Sequence, residues 1–464
     1  MTSNRLSALD ASFLDVETAS AHMHVGWAAT FDPPDDRPAP SFEQLRDHIA
    51  RRLQRAPRYR QRLAGVPLGV ARPVWVDDDQ FDVNRHVRPA DRASLGELAG
   101  SVLSTPLSRE RPLWEMWVSD RLDDGRIGVV GKAHHCMVDG IAAVELATVL
   151  LDMEPDLPPD PLDDWKPAAG PSQVRRFVDG LVDIARGQLS LAGTAAGALS
   201  SPRKLAAGAQ RAAGALANSL APADPLGVLN APISPYRTLA TLARPMDELR
   251  DIKRGYGCTI NDVVLAASTG GVRRHLERRG EHTARFKAMV PVNVRDEGAE
   301  GEFGNRISFI FVELPCREPG AEERLRQVAS AIGAAKESGE PAGATTILDL
   351  AAAAPSVVQR AMSRLVASPR TFNVVVSNIP GPQLPMWMLG CRLREAYPIV
   401  PLADRHALSI GFTSVDGGAF FGIYADRDAG PDAERLARDI GAELDELLAL
   451  APARPRPRMA PVAT

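Results

Sequence analysis

The chain has 464 residues, which is enough for two or three domains. Hydrophobic residues make up 45% of the chain and charged residues 24%, which are values typical of a globular protein. The formal net charge is −4. Because no large basic excess exists, we expect no nucleic-acid partner.

The four cysteines are far apart and form no CxxC pair, so neither a disulfide framework nor a structural zinc site is expected. Asp10, Asp15 and Glu17 stand where a signal peptide would need an apolar core. No run of about 18 uncharged apolar residues predicts a membrane-spanning helix. We therefore expect a cytoplasmic protein.

Residues 1–165 predict a first domain in which helices and strands alternate. Apolar residues at helical spacing in "SFEQLRDHIARRLQ" predict a helix, and "IAAVELATVLLDM" predicts another. The segments "PLWEMWVSDRL" and "GRIGVVGKAHH" are typical of strands. The Pro- and Asp-rich stretch that follows indicates a linker.

Residues 166–225 differ from both flanks, because within them apolar and basic residues mix with many alanines and glycines. From about residue 172 to residue 221, one interpretation is a pair of helices that connects two domains. The other is an amphipathic segment that contacts a lipid surface. Both interpretations predict helices outside the two domain cores.

Residues 226–450 predict a second α/β domain, and residues 451–464 a disordered tail. In "TINDVVLAASTGGVRRHL", Thr259 can cap a helix and Asp262 occupies the position of a capping-box acid. Leu436, Ile440 and Leu444 form part of one apolar stripe on a final helix. Five strands are predicted, in "FKAMVPVNVR", "NRISFIFVELP", "TFNVVVSNIPG", "HALSIGFTSVDG" and "AFFGIYADRD".

The stretch "AHHCMVDGIAA" carries the strongest chemical signal. Imidazole is the usual general base near neutral pH, and a strand end can hold it rigidly beside a cleft. If the strand runs to its end, His134 and His135 face opposite ways, which disfavours a metal site built on both. Gly140 suits a tight turn. Asp139, in an apolar segment, needs a cation or several donors if it is buried.

A cysteine and two tryptophans of the first domain each allow two interpretations. Cys136 could be a nucleophile, or a buried residue that fills space in an apolar run. Trp114 and Trp117 could belong to the core or stack on a substrate.

Three polar residues of the second domain also allow two interpretations each. Asn261 could cap a helix or be a polar group in a channel. Ser377 and Asn378 could form a plain turn or donate hydrogen bonds into a cleft.

The motifs of the chain resemble those of a known family. "HHCMVDG" matches HHxxxDG, the signature of CoA-dependent acyltransferases with the chloramphenicol-acetyltransferase-like fold. The whole chain, over about residues 5–450, resembles the bacterial wax ester synthase/acyl-CoA:diacylglycerol acyltransferase family. The other segments that carry the resemblance are "LSALDASFLDVET", "MHVG", "RPLW", "TINDVVLA", "VPVNVR", "GNRISF" and "SNIPGP".

The resemblance implies two mixed-sheet α/β domains flanked by helices, with an active-site channel between them. His135 would be the general base, with His134 and Asp139 in the same motif and Arg295 bridging to Asp139. No cofactor is implied, because acyl-CoA is a substrate. The positions that would bind substrate or support the site are Pro112, Leu113, Trp114, Gly140, Asn261, Asp262, Arg295, Ser377 and Asn378.

The implied activity is transfer of a long-chain acyl group from acyl-CoA to a fatty alcohol or diacylglycerol. The enzyme would contact a membrane or lipid-droplet surface peripherally. Two alternatives stay open: an acyltransferase of another HHxxxDG branch, which acts on polyketide or peptide carriers, and a catalytically silent lipid-binding protein. Intact His135 and Asp139 argue against the silent protein.

Overall fold

A computed structural model describes residues 4–91, 93–137, 150–161, 163–183, 185, 222–281, 285–293, 307–337 and 356–452. Residues 141–149 of the helix predicted in "IAAVELATVLLDM" lie outside these ranges, as do all but the first two residues of the predicted tail and most of the 172–221 segment.

The described residues of the first half form three α-helices and six strands before a fourth α-helix. In chain order they are α1 (Ala8–Val16), β1 (His24–Asp32), α2 (Phe42–Arg52), β2 (Gln61–Ala64), β3 (Val74–Asp77), β4 (Val87–Pro89), α3 (Leu95–Leu103), β5 (Trp114–Ser119), β6 (Ile127–His134) and α4 (173–183).

The second half continues the alternation of helices and strands. Its elements are β7 (Arg237–Pro245), α5 (Met246–Tyr256), α6 (Ile260–Arg278), β8 (Phe286–Asn293), β9 (Ile307–Leu314), α7 (Ala321–Glu337), α8 (Ser356–Val366), β10 (Val374–Pro380), β11 (Trp387–Met388), β12 (Cys391–Ile399), β13 (Leu408–Val415), β14 (Gly418–Asp426) and α9 (Ala433–Leu450).

Local sequence explains where several of these helices begin. Thr259 caps α6: its side chain accepts the Asp262 N–H at 3.2 Å, and the Asp262 carboxylate accepts the Thr259 N–H at 2.8 Å. The predicted capping box is therefore confirmed. Ser41 caps α2 and Ser94 caps α3 through the same reciprocal arrangement.

Twelve of these strands form two six-stranded mixed sheets, and β2 pairs with β3 in a separate two-stranded sheet. This arrangement confirms the predicted α/β class. The first sheet has the order β11-β12-β1-β6-β5-β4, and the second has the order β7-β14-β13-β10-β8-β9. The predicted final helix is α9, and its stripe packs into the core of the second half, where Leu436 and Ile440 are fully buried.

Strands β11 and β12 belong to the first sheet, although their residues lie within the 226–450 range that the sequence analysis assigned to the second domain. Strand β12 pairs with β1 in antiparallel register, for example Gly26 opposite Ile399. It also lies against the second sheet. A Cβ at Gly411 would lie 2.6 Å from the Pro398 carbonyl oxygen, and one at Gly422 would lie 2.2 Å from it. Only glycine permits this approach.

A second connection between the halves is made by α3, which lies across the edge strand β7. A Cβ at Gly96 would meet the Leu239 carbonyl oxygen at 2.7 Å, and one at Gly100 would meet the Arg237 carbonyl oxygen at 2.9 Å. Arg237 also pairs with buried Asp426 at 3.1 Å and donates a hydrogen bond to the Ser20 carbonyl of the first half.

Candidate active site

The histidine pair lies where β6 ends. The His134 N–H donates to the Leu113 carbonyl at 2.9 Å, and the His135 N–H donates to the Met23 carbonyl at 3.0 Å. The chain then turns, with the Met137 N–H donating back to the His134 carbonyl at 2.9 Å. Neighbouring segments therefore fix the backbone of both histidines, as a rigidly held base requires.

The His134 ring is a buried, neutral group. Its Nδ1 accepts the Cys136 N–H at 3.1 Å, and the residue is only 2% exposed. Burial, with a smaller effect from nearby Arg109, lowers the pKa of His134 to about 3. The Glu17 carboxylate lies 3.7 Å from Nε2, which is too long for a hydrogen bond, and it pairs with Arg109 instead. His134 thus has the features of a structural residue.

The His135 ring lies in a different environment. The residue is half-buried, and its imidazole stacks on the Phe13 ring with centroids 3.7 Å apart and planes 7° apart. Strand alternation does not decide where this ring points, because β6 ends at His134. A partly accessible imidazole at the end of a buried strand is suited to proton transfer.

The residues of the RPLW segment support the end of β6. Leu113 is buried and supplies the carbonyl that His134 uses, and the carbonyl of buried Pro112 accepts the Trp114 N–H at 2.9 Å. The Trp114 indole donates to the Tyr59 carbonyl at 2.7 Å and stacks on His86. Trp114 is 2% exposed, so the structure favours the core interpretation of this residue.

Trp117 is half-buried, and the Arg88 guanidinium lies 4.5 Å from the centre of its ring. A cation already occupies this ring face. The side chain also packs against a buried apolar cluster, which favours the core interpretation.

The polar residues of the second half form another group. The Asn378 side chain donates to the Asn261 carboxamide oxygen at 3.5 Å. Asn261 lies in the first turn of α6 and is not its cap, because Thr259 is. Ser377 and Asn378 lie within β10, so the interpretation of a plain turn is wrong. Ser377 is buried opposite Gly411 of β13.

Three predicted residues cannot be placed. Asp139, Gly140 and Arg295 lie outside the described residues, so the expected Asp139–Arg295 ion pair stays a prediction.

The thiol of Cys136 is 3% exposed, and burial raises its pKa to about 12. A thiol needs to ionise to act as a nucleophile, so the buried-filler interpretation is favoured. Within the described ranges, no group of three or more His, Cys, Asp or Glu side chains could hold a metal ion.

An apolar cavity lies between the two sheets. Its empty space is about 900 Å³, including its open mouth, and both halves of the chain line it. Trp27, Ala29 and Phe31 come from β1, and Thr413 and Val415 come from β13. This position matches the predicted channel between two domains.

A smaller cavity of about 310 Å³ shares Val25, Gly26, Trp27 and Met116 with the first one and is also lined by Ala133. Ala133 lies in β6, two residues before His135.

Sequence reasoning missed several contributors to this site. Phe13 and Glu17 approach the histidine pair from α1 and the residue after it, and Met23 supplies a backbone acceptor. In the sequence, the segment "LSALDASFLDVET" contributes to the family resemblance and carries three acidic residues, but it predicts no contact with the histidine pair. Helical spacing within it gives no indication that one aromatic side chain meets an imidazole more than a hundred residues away.

Comparison with known proteins connects this geometry to a family. Residues 6–264 match the model of the wax ester synthase/diacylglycerol acyltransferase catalytic domain, and residues 303–448 match that of the WS/DGAT C-terminal domain. A probable diacylglycerol O-acyltransferase of Mycobacterium tuberculosis is 33% identical over 468 residues, which covers 97% of each chain.

Solved structures give the same result. The wax ester synthase/diacylglycerol acyltransferase from Marinobacter aquaeolei is 26% identical, with a TM-score of 0.67, and the match covers 96% of this chain and 99% of that one. The trichothecene 15-O-acetyltransferase from Fusarium sporotrichioides, at 14% identity, has a TM-score of 0.58 over 96% of this chain and 94% of that one. The second likeness shows a shared fold.

Proposed function

Because this chain belongs to the wax ester synthase/diacylglycerol acyltransferase family and is an O-acyltransferase, we propose that His135 is its general base. The acyl donor is a long-chain acyl-CoA, which is a substrate and not a resident cofactor. The acceptor is the hydroxyl of a fatty alcohol or a diacylglycerol. One observation carries this proposal: a half-buried imidazole stands at the end of a buried strand whose sheet lines a large apolar cavity.

The reaction needs no acyl-enzyme. The His135 imidazole accepts the proton of the acceptor hydroxyl as the oxygen attacks the thioester carbonyl carbon. The tetrahedral intermediate then collapses, the carbon–sulfur bond breaks, and the CoA sulfur takes the proton from the imidazolium. A positioned general base contributes roughly 10²–10⁴-fold to such a step. The raised pKa of the buried Cys136 thiol argues against a competing thiolate nucleophile.

The cavity binds the hydrocarbon part of the substrates. Burying a chain of about 16 carbons contributes roughly 12 kcal/mol gross, at about 0.8 kcal/mol per CH₂ group. Such a chain needs a continuous apolar wall, and β1, β12 and β13 together supply one. The open mouth lets a chain enter without unfolding either sheet.

Asp139 braces the turn after the histidine pair through an ion pair with Arg295. A guanidinium and a carboxylate can share two parallel hydrogen bonds, which would fix the turn that follows His135. In this arrangement Asp139 points away from the imidazole and carries no proton.

The enzyme reaches its water-insoluble substrates by lying on a lipid surface. No helix within the described parts of the chain is long and apolar enough to cross a membrane. Helix α4 exposes Val174, Val178, Leu181 and Val182 along one stripe, beside the basic residues Arg175 and Arg176. A stripe of this kind suits shallow insertion between lipid headgroups.

An acceptor assay tests the proposed activity. Purified protein is given hexadecanoyl-CoA with hexadecanol, with diacylglycerol, or with a carrier-bound acceptor, and both CoA release and the acylated product are measured. Wax ester or triacylglycerol in amounts equal to the released CoA supports the proposal. Turnover only with the carrier-bound acceptor, or acyl-CoA binding without any product, would refute it.

A further inference from the structure

We propose that Phe13 is a positioning residue for the reaction, which holds the imidazole of His135 in the plane that proton transfer requires. The inference rests on the proposed role of His135 as the general base. It starts from the parallel stack of the two rings, whose centroids are 3.7 Å apart and whose planes differ by 7°.

Phe13 can act as a fixed surface because α1 is itself fixed. The Ser7 side chain caps this helix by accepting the Asp10 N–H at 3.0 Å. Phe13 and Leu14 pack against a buried cluster that includes Trp75, Leu113 and Cys136. Leu113 also supplies the carbonyl that holds the end of β6. Helix α1 and the end of β6 are therefore held by the same buried cluster.

The residue that follows α1 approaches the other histidine. Glu17 pairs with Arg109, and its carboxylate lies 3.7 Å from Nε2 of His134. One N-terminal segment thus borders both rings of the pair.

An aromatic ring is needed here for a geometric reason. The torsion that turns an imidazole about its bond to Cβ is soft, so the backbone bond of His135 to Met23 cannot fix the ring plane. A flat ring in van der Waals contact opposes that rotation. The nitrogens lie in the edge of the imidazole, which the stack does not cover. A base that is misplaced by about 1 Å can lose roughly 10²-fold in rate.

The test compares three variants on the same helix, each with hexadecanoyl-CoA and the preferred acceptor. Phe13→Leu keeps an apolar side chain but removes the flat ring. Phe13→Tyr keeps the ring, and Leu14→Ala weakens packing against the same buried cluster. We expect Phe13→Leu to lower kcat about 10- to 100-fold, with KM for acyl-CoA within about twofold of wild type. Phe13→Tyr should restore kcat to within about threefold, and Leu14→Ala should lower the melting temperature with little change in kcat.

A second comparison separates this inference from the proposal on which it rests. In a His135→Ala background, adding Phe13→Leu should cause no further loss of the residual rate, since both changes act through one group. Unchanged kcat in Phe13→Leu beside an inactive His135→Ala would overturn this inference alone. So would equal losses in Phe13→Leu and Phe13→Tyr, or in Phe13→Leu and Leu14→Ala. An active His135→Ala variant would instead show that His135 is not the general base, and the positioning role of Phe13 would then be refuted as well.

Discussion

At the scale of single residues, two adjacent imidazoles have unequal environments. His134 is buried and accepts a backbone hydrogen bond, so its ring is neutral and fixed. His135 is half-buried beside an aromatic ring. The difference comes from the end of β6, because the first histidine closes the strand and the second begins the turn. One histidine of the pair is therefore held as a structural group, while the next one is partly accessible for chemistry.

The pH dependence of stability tests the buried state of His134. The pKa of about 3 for folded His134 lies below the ordinary histidine value of 6.5. The unfolded chain therefore binds a proton between these limits that the folded chain does not, and stability falls as pH falls below 6.5. A single group of this kind lowers the free energy of unfolding by about 1.4 kcal/mol for each pH unit within this range.

We therefore expect His134→Ala to be less stable than wild type at pH 7, with a difference that shrinks at pH 5. Its activity should fall less than that of His135→Ala. Urea unfolding at the two pH values, with kcat measured alongside, checks both expectations. A stability difference that grows in acid would be incompatible with a neutral buried ring.

The residue scale also limits what sequence could predict. The resemblance through HHxxxDG implies that His135 would be the base, and the sequence left Cys136 open between a nucleophile and a buried residue. The stack on Phe13 and the approach of Glu17 to His134 depend on how α1 packs, and no local pattern encodes that packing.

At the scale of elements, most apolar runs were predicted as strands, but β1 and β7 were not, and neither was the mixed sequence of β12. All five strands predicted in the second half are present, as β8, β9, β10, β13 and β14. Strand β12, "CRLREAYPI", carries three charged residues and a proline, so its sequence gives no clean alternation. Its place is set by the distant partner β1 and by two glycines beneath it.

The close approach of Gly422 to β12 predicts that a glycine-to-alanine substitution lowers stability there but not at Gly333, where the space is open. Gly422→Ala places a methyl group where the Pro398 carbonyl oxygen now lies, at 2.2 Å from the added Cβ, so the strand must shift. We expect it to lose about 1–3 kcal/mol of stability. Gly333→Ala, on α7, meets no atom within 4 Å and should be neutral, or more stable by about 0.5–1 kcal/mol.

Thermal unfolding of the two variants and wild type is the measurement. A Gly422→Ala protein that melts at the wild-type temperature would show that β12 does not need this close approach.

The exposed stripe of α4 predicts an effect on lipid binding. Replacing Val174, Val178, Leu181 and Val182 by serine should lower the vesicle-bound fraction about tenfold or more, because each buried aliphatic side chain contributes roughly 1.5–3 kcal/mol. Flotation with vesicles that contain anionic lipid measures the bound fraction.

Two single variants serve as controls for that experiment. Leu68→Ser and Leu450→Ser remove exposed apolar side chains that lie outside α4, and both should bind vesicles as wild type does. Undiminished flotation of the fourfold variant would contradict the role of α4.

At the scale of the whole molecule, the candidate active site lies beside two sheets, and the first of them takes strands from both halves of the chain. The chain returns late to add β11 and β12 beside β1, and the apolar cavity forms between that sheet and β13. The α/β class and a channel between two halves were predictable from alternating elements and from the resemblance. The addition of β11 and β12 to the first sheet could not be predicted, because pairing between distant segments produces no periodic pattern in either sequence.

The central claim is that this chain acylates a hydroxyl directly, with His135 as the base. The most direct measurement is the single-turnover rate of ester formation from hexadecanoyl-CoA and the preferred acceptor, for wild type and for folded His135→Ala. Our account predicts equal amounts of ester and CoA from wild type, and a rate at least about 100-fold lower in the variant, with acyl-CoA binding retained. A variant that keeps more than about a tenth of the wild-type rate would contradict the account.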